Sequence, residues 1–403
     1  MSEVCVIVGA SHAAAQLATS LRTEGWEGDI LVIGDEPSLP YHRPPLSKAV
    51  LAGDKTLDQI LIRPAAFYEK QNVQFRLDTK VTAIDLQSKT LTTSKEETIQ
   101  FDKLALCTGA RPRKLNIEGN HLGSVHYLRT AEDIENIQKN VAAGKKAVII
   151  GGGYIGLETA AALRKLDVEV TVLEAMDRVL QRVTAPEISA FYNRVHAEEG
   201  VTIKTNTVVK AIEGSGSVQA VILDDKSRLE ADLVIIGVGI EPNIELAQAT
   251  GLSVDNGVLV NEFALTSHPD IVAAGDCTNF PAASGQRMRL ESVPNAMEQA
   301  KSAAASICGN QKGYTANPWF WSDQYDMKLQ IAGLSQGYDQ VVLRGDYESG
   351  RSFVAWYLKD GKVISADCVN RMKEFMVAKK LILSGDSVDP ARLADDSIDP
   401  REL

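Results

Sequence analysis

Two stretches of this chain, roughly 142 residues apart, follow one local pattern. The first is an apolar run, Val4-Cys5-Val6-Ile7-Val8, closed by Gly9. An alanine-rich helical pattern follows to Leu21, then a second apolar run, Ile30-Leu31-Val32-Ile33. The later stretch is Ala147-Val148-Ile149-Ile150, closed by Gly151-Gly152-Gly153, then a helix through Leu166 and a strand over 168–173. Strand, tight turn, helix and strand make a βαβ unit. A repeat this long implies two similar domains, not a solenoid. A length of 403 residues allows two or three domains.

The later turn carries the stronger signal. In Gly151-x-Gly153-x-x-Gly156 the first glycine permits the turn, the second lets backbone approach a pyrophosphate, and the third lets helix and strand pack closely. The helix N-terminus offers N–H groups and a positive dipole end to phosphate. Glu174 ends the next strand, where a carboxylate accepts hydrogen bonds from a ribose 2′-OH. That charge repels a 2′-phosphate, so NADH is expected over NADPH, with Arg178 placed to soften the preference. The earlier turn, Gly9-Ala10-Ser11-His12-Ala13-Ala14, is degenerate. Ser11 replaces the second glycine and Ala14 the third, where alanine is accepted. Asp35 is the candidate ribose partner there, and His12 reads as a bystander rather than a base.

After Trp319 the texture changes. Segments 329–332, 341–344 and 353–358 read as short strands, Asp360-Gly361 as a hairpin turn, and 370–383 as a helix. The net charge of −11 argues against nucleic acid or an anionic membrane as partner. No apolar run approaches the roughly 18 residues that span a bilayer. The strand-like start leaves no room for a signal peptide. Cys5, Cys107, Cys277, Cys308 and Cys368 form no C-x-x-C and no zinc spacing, so no metal site is expected. An odd, scattered set suggests reduced thiols in a cytoplasmic protein.

Thr108-Gly109-Ala110-Arg111-Pro112-Arg113 and Thr266-Ser267-x-Pro269-x-Ile271-x-Ala273-Ala274-Gly275-Asp276 resemble conserved pieces of the flavoproteins related to glutathione reductase, which carry two dinucleotide-binding folds. Arg43-Pro44-Pro45-Leu46-Ser47-Lys48, Tyr127-Leu128-Arg129-Thr130, Glu291-Ser292-Val293-Pro294-Asn295-Ala296 and Trp319-Phe320-Trp321-Ser322-Asp323-Gln324 narrow the match. They are similar to the ferredoxin reductases of bacterial oxygenase systems, and the resemblance covers nearly the whole chain. It implies an α/β fold of two Rossmann-like dinucleotide-binding domains plus a C-terminal α+β domain. The FAD-binding domain is expected over 1–111 and 241–315, the NADH-binding domain over 112–240, and the C-terminal domain over 316–403.

By that resemblance Ala13, Asp35, Lys48, Val81, Arg129, Asp276 and Val293 contact FAD, Asp276 through the ribityl chain, with Gly9 and Arg43 in the same set. Ile155, Glu158, Glu174, Arg182 and Gly239 line the NADH site beside the glycine turn. The C-x-x-x-x-C pair of disulfide reductases is missing, and Lys48 stands where related peroxidases carry a redox cysteine. The expected activity is hydride transfer from NADH to FAD, then release of single electrons to a two-iron, two-sulfur ferredoxin. That ferredoxin would serve a haem monooxygenase or a ring-hydroxylating dioxygenase.

Three residues are candidates for the chemistry. Lys48 would stabilise negative charge at the flavin, with a solvated lysine in a proline-rich loop as the alternative. Glu158 would orient the nicotinamide carboxamide or a nearby lysine, with a plain helix-surface carboxylate as the alternative. Trp321 would lie between flavin and acceptor, with an aromatic core anchor as the alternative. Docking of an acidic ferredoxin would be transient and electrostatic, with Arg287, Arg289, Lys328, Lys373, Lys379 and Lys380 as loose candidates. Rubredoxin reductase and monodehydroascorbate reductase share most of these motifs and stay open, whereas an NADH-responsive signalling protein is a reading of another class that the compact C-terminal tail argues against.

Overall fold

The computed structural model describes residues 2–282, 285–315 and 318–403. Residues 1 and 316, at which two of the expected domain limits fall, lie outside the described residues. The chain folds into two compact units. One comprises Met1–His42, Leu57–Arg111 and Ile240–Pro318, and the other Arg43–Thr56, Pro112–Gly239 and Trp319–Leu403.

The first unit is built on a parallel sheet in the order Ile271–Ala273, Lys103–Leu106, Val4–Val8, Asp29–Ile33, Val73–Arg76. The second unit repeats it as Val125–Tyr127, Leu233–Ile236, Lys146–Ile150, Glu169–Leu173, Thr202–Lys204. Its central strands are apolar throughout because both faces are covered. The two sheets differ in where the outer strand originates. In the first unit it comes from late in the chain, and in the second it precedes the central strand. Each sheet also gains a three-stranded antiparallel ribbon, Val81–Gln100 in one and Val209–Glu230 in the other. The fold class is therefore the one expected.

The C-terminal part of the second unit is a five-stranded antiparallel sheet in the order Trp319–Gln324, Met327–Gly333, Lys362–Val369, Ser352–Lys359, Gln340–Asp346. Asp360 and Gly361 both take positive φ, as a two-residue hairpin requires. The helix Met372–Ser384 covers the sheet, burying Phe375, Val377 and Ala378 against Val354, Trp356 and Cys368. It starts two residues later than the sequence suggested. Asn370 sits at φ 52° and spends its side-chain amide on the Arg351 carbonyl, so it cannot begin a helix. Arg344 is almost wholly buried and donates to the carbonyls of Asp395 and Ile398, pinning the chain end to the sheet.

Two buried titratable groups tie this sheet to the helix Pro186–Glu198 of the same unit. His196 donates from Nε2 to Gln324 Oε1 (2.8 Å), and Tyr325 donates to its Nδ1 (2.9 Å). Burial pushes the His196 imidazole down to about 4. Asp367 accepts from the Tyr357 hydroxyl (2.6 Å), which itself accepts from the Ala185 N–H (3.0 Å). Burial pushes the Asp367 carboxyl up to about 7, against the Tyr357 hydroxyl, which favours the charged form. The neutral His196 stabilises the fold above its ordinary value of 6.5 and ceases to do so as pH falls through about 4. Asp367 acts oppositely, with full stability below 3.8 that is lost as pH rises through about 7. In the wild type the two trends offset. Asp367→Asn should therefore lose stability more steeply than wild type between pH 7 and 4, by up to about 1.4 kcal/mol per pH unit, and His196→Gln less steeply. Urea midpoints across that range check both.

Candidate functional site

In the first unit the strand Val4–Val8 ends at Gly9, whose φ of 108° only glycine adopts readily. A side chain there would meet the Cys107 carbonyl oxygen, 2.1 Å from a Cβ. Ser11 caps the helix His12–Thr23 by position, but its hydroxyl bonds none of the helix amides. The turn thus leads straight into a helix N-terminus, the arrangement a pyrophosphate site uses. Ala13 is buried at that helix start, 3.3 Å from where a Cβ on Gly275 would lie. Asp35 is exposed just beyond the strand Asp29–Ile33. Val81 is buried in the core, and Asp276 is half-buried after the strand Ile271–Ala273. Val293 opens the helix Val293–Ile307, which Ser292 caps through the Asn295 N–H. Gln299 of that helix accepts from the Gly275 N–H (2.9 Å) and the Thr278 hydroxyl (2.8 Å), fixing the turn that carries Asp276. His12 is buried and hydrogen-bonds His42 (3.3 Å), so it is a structural partner in the turn.

The second unit repeats the turn. Gly151 has φ 113°, with the Gly237 carbonyl oxygen 2.4 Å from a would-be Cβ. Gly153 begins the helix Tyr154–Arg164, and nothing lies within 4 Å of where its Cβ would be, so backbone faces open space where phosphate is expected. A Cβ on Gly156 would lie 2.2 Å from the Gly151 carbonyl oxygen. Glu174 reaches back to this turn. Its Oε2 accepts from the Gly152 N–H (2.8 Å) and its Oε1 from the Met176 N–H (2.9 Å). The Arg178 guanidinium is committed to the Thr184 and Gln181 carbonyls and the Ser189 hydroxyl. It braces the loop that follows Glu174. Ile155 and Arg182 are exposed, and Gly239 follows the strand Leu233–Ile236 at φ 103° with open space beside it.

The segment Arg43–Thr56 binds to this unit through polar contacts. Arg43 donates to the Arg129 carbonyl (2.7 Å), Gln138 to the Val50 carbonyl (2.8 Å), and Lys165 pairs with Asp54 (2.6 Å). Arg129 is itself held by Asp133, which accepts from the Arg129 and Thr130 amides in a capping box. Around Leu46–Val50 the chain makes a wide helical turn, from which the Lys48 backbone steps out at φ −125°, ψ −107°. Lys48 Nζ then lies 2.7 Å from Glu158 Oε2.

Glu158 is the polar centre of the unit. Its side chain is 1% exposed, so the surface-carboxylate alternative is excluded. Besides Lys48 it accepts from the Ser47 hydroxyl (2.6 Å) and the Ser322 hydroxyl (2.6 Å). A buried charge persists only when paired and hydrogen-bonded, and both conditions hold here. Trp321 is half-buried on the strand Trp319–Gln324, its ring 5.4 Å from that of Trp319. Trp319 also packs on Phe375, which gives this aromatic cluster an anchoring role. Of the docking candidates, Arg287 and Arg289 have internal partners in Asn279 and Glu291, whereas Lys328, Lys373 and Lys380 are exposed.

The sequence reading missed Ser47, Ser322, Gln324 and His196. The signal was present in part, because Ser322 and Gln324 are polar at alternate positions of a strand and so share one face. His196 carried no local signal. The glycine turn supplies a direct test. Gly156→Ala pushes a methyl into the Gly151 carbonyl and should weaken NADH binding by at least roughly tenfold while leaving FAD content unchanged. Titration of flavin bleaching against NADH measures it.

Residues 4–300 match the pyridine nucleotide-disulphide oxidoreductase family model, and residues 319–403 match the reductase C-terminal model. Putidaredoxin reductase CamA of Pseudomonas putida is 45% identical over 99% of this chain and 96% of its own length. A ferredoxin–NAD(P)+ reductase of a Sphingomonas species is 43% identical over 96% of this chain and 94% of its own. The crystal structure of the covalent putidaredoxin reductase–putidaredoxin complex superposes with a TM-score of 0.95 at 44% identity, covering 99% of this chain and 97% of the matched one. These matches bear out the resemblance read from the motifs, and the chain belongs to the pyridine nucleotide-disulphide oxidoreductase family.

Proposed function

We propose that this chain is an FAD-dependent NADH:ferredoxin oxidoreductase. It would supply electrons to a two-iron, two-sulfur ferredoxin that serves a haem monooxygenase or a ring-hydroxylating dioxygenase. The observation that carries the reading is one chain with two dinucleotide turns and, at the Arg43–Lys48 loop, a lysine paired with the buried Glu158 in place of a thiol. FAD, when bound, supplies a centre that takes up a hydride and gives up electrons singly. In this reading residues 1–111 and 241–315 form the FAD-binding domain, 112–240 the NADH-binding domain and 316–403 the C-terminal domain.

The chain's own residues supply binding, orientation and charge. By the family resemblance Gly9, Ala13, Asp35, Arg43, Lys48, Val81, Arg129, Asp276 and Val293 would contact FAD. Gly151, Gly153 and Gly156 would receive the NADH pyrophosphate, and Glu174 the adenosine ribose. Ile155, Arg182 and Gly239 would border the same cleft. Lys48 brings a positive charge whose position Glu158 sets, and Trp321 would lie toward the acceptor. The helix Met372–Ser384 exposes Met372, Met376 and Leu383 together with Lys373 and Lys380, a mixed basic and apolar face suited to an acidic ferredoxin. The reading places the protein in the cytoplasm, in keeping with five unpaired cysteines, four of them buried. No helix among the described residues is long and apolar enough to cross a membrane.

Stopped-flow absorbance tests this directly. NADH should bleach the flavin at least roughly tenfold faster than NADPH, because the fixed Glu174 carboxylate repels a 2′-phosphate. A two-iron ferredoxin should then restore the colour, at a rate that falls as salt rises. Bleaching without reoxidation moves the acceptor to rubredoxin or to a signalling role. A protein that takes up no FAD contradicts the proposal outright.

A further inference from the structure

The Glu158 carboxylate ends a one-directional chain of hydrogen bonds that begins in the C-terminal sheet. Tyr325 donates from its hydroxyl to His196 Nδ1 (2.9 Å). His196 Nε2 faces Gln324 Oε1 (2.8 Å), an acceptor, so this nitrogen carries the proton. Gln324 Nε2 donates to Ser322 Oγ (3.1 Å). With that amide on its lone pair, the Ser322 hydroxyl turns its hydrogen to Glu158 Oε1 (2.6 Å). Every donor thus points toward the one negative charge, and such chains polarise cooperatively. Ser322, Gln324, His196 and Glu158 are all essentially buried, so no water competes for these partners. On the other carboxylate oxygen sit Lys48 (2.7 Å) and Ser47 (2.6 Å).

We propose that Ser322 is a positioning residue for the reaction. Oriented by Gln324, it fixes the Glu158 carboxylate and through it the Lys48 ammonium, so the C-terminal sheet is part of the reductive machinery. This rests on the oxidoreductase reading above and adds a residue and a mode of action to it. The alternative is a purely structural serine, which would matter for stability and for nothing else. The two differ in what they move. Removing the hydroxyl leaves the carboxylate less compensated, and extra negative charge near a flavin disfavours its reduction.

The experiment uses purified holoenzyme and follows flavin reduction by NADH together with the flavin midpoint potential. Ser322→Ala should slow the limiting rate about tenfold, the scale of one hydrogen bond to a charged group, with little change in apparent NADH affinity. Its midpoint potential should become more negative, and Ser322→Thr, which keeps the hydroxyl, should restore both. In a Glu158→Gln background the same serine substitution should have little further effect. Gln324→Met removes the amide that orients Ser322 and should slow reduction about threefold in the same sense. It decides the matter if Ser322→Ala does not yield folded holoenzyme. Wild-type rate and potential in Ser322→Ala overturn the proposal, as does an equal loss in the Glu158→Gln background. Failure of NADH to bleach even the wild-type flavin is a different result and contradicts the oxidoreductase reading itself.

Discussion

A carboxylate removed from water keeps its charge only if the protein replaces the lost hydration. At Glu158, on the helix Tyr154–Arg164, that replacement comes from two separated pieces of sequence, Ser47 with Lys48 and the strand Trp319–Gln324. Neither piece satisfies the charge alone. Their convergence holds the Arg43–Thr56 segment and the C-terminal sheet to the repeated αβ layer of the second unit. The requirement is strict because losing one partner strands the other inside the fold.

The two sheets show how one design serves different ends. Both start a helix at a glycine turn against a neighbouring backbone carbonyl, Cys107 in one and Gly237 in the other. The second turn keeps all three glycines and anchors Glu174 on the Gly152 amide. The first trades glycine for Ser11 and relies on a capping helix elsewhere, where Gln299 holds the turn before Asp276. The second unit adds the Lys48–Glu158 ion pair, its glutamate on the same helix that the glycine turn begins.

Much of this was legible in the sequence because it is local. Glycine spacing, apolar strand runs and the Asp360-Gly361 turn each act within a few residues, and each appears where it was read. The strand Trp319–Gln324 is hard to read because its alternation mixes aromatic and polar residues, whose face is decided by Glu158 and His196 far away in sequence. The commitment of Arg178 to a brace was equally illegible, since its partners at 181, 184 and 189 become neighbours only once that loop folds. Residues whose role is set by long-range partners left only the weak trace of a polar side chain in an apolar setting.

The central claim is that the Lys48–Glu158 pair is a mutual necessity. A double-mutant cycle in urea unfolding measures it with Lys48→Met, Glu158→Gln and the two combined. The account predicts that Lys48→Met alone costs about 3 kcal/mol or more, because it leaves an unpaired buried carboxylate. The double variant should recover a large part of that loss, giving a coupling energy of about 2 kcal/mol. Costs that simply add, within about 0.5 kcal/mol, would contradict it.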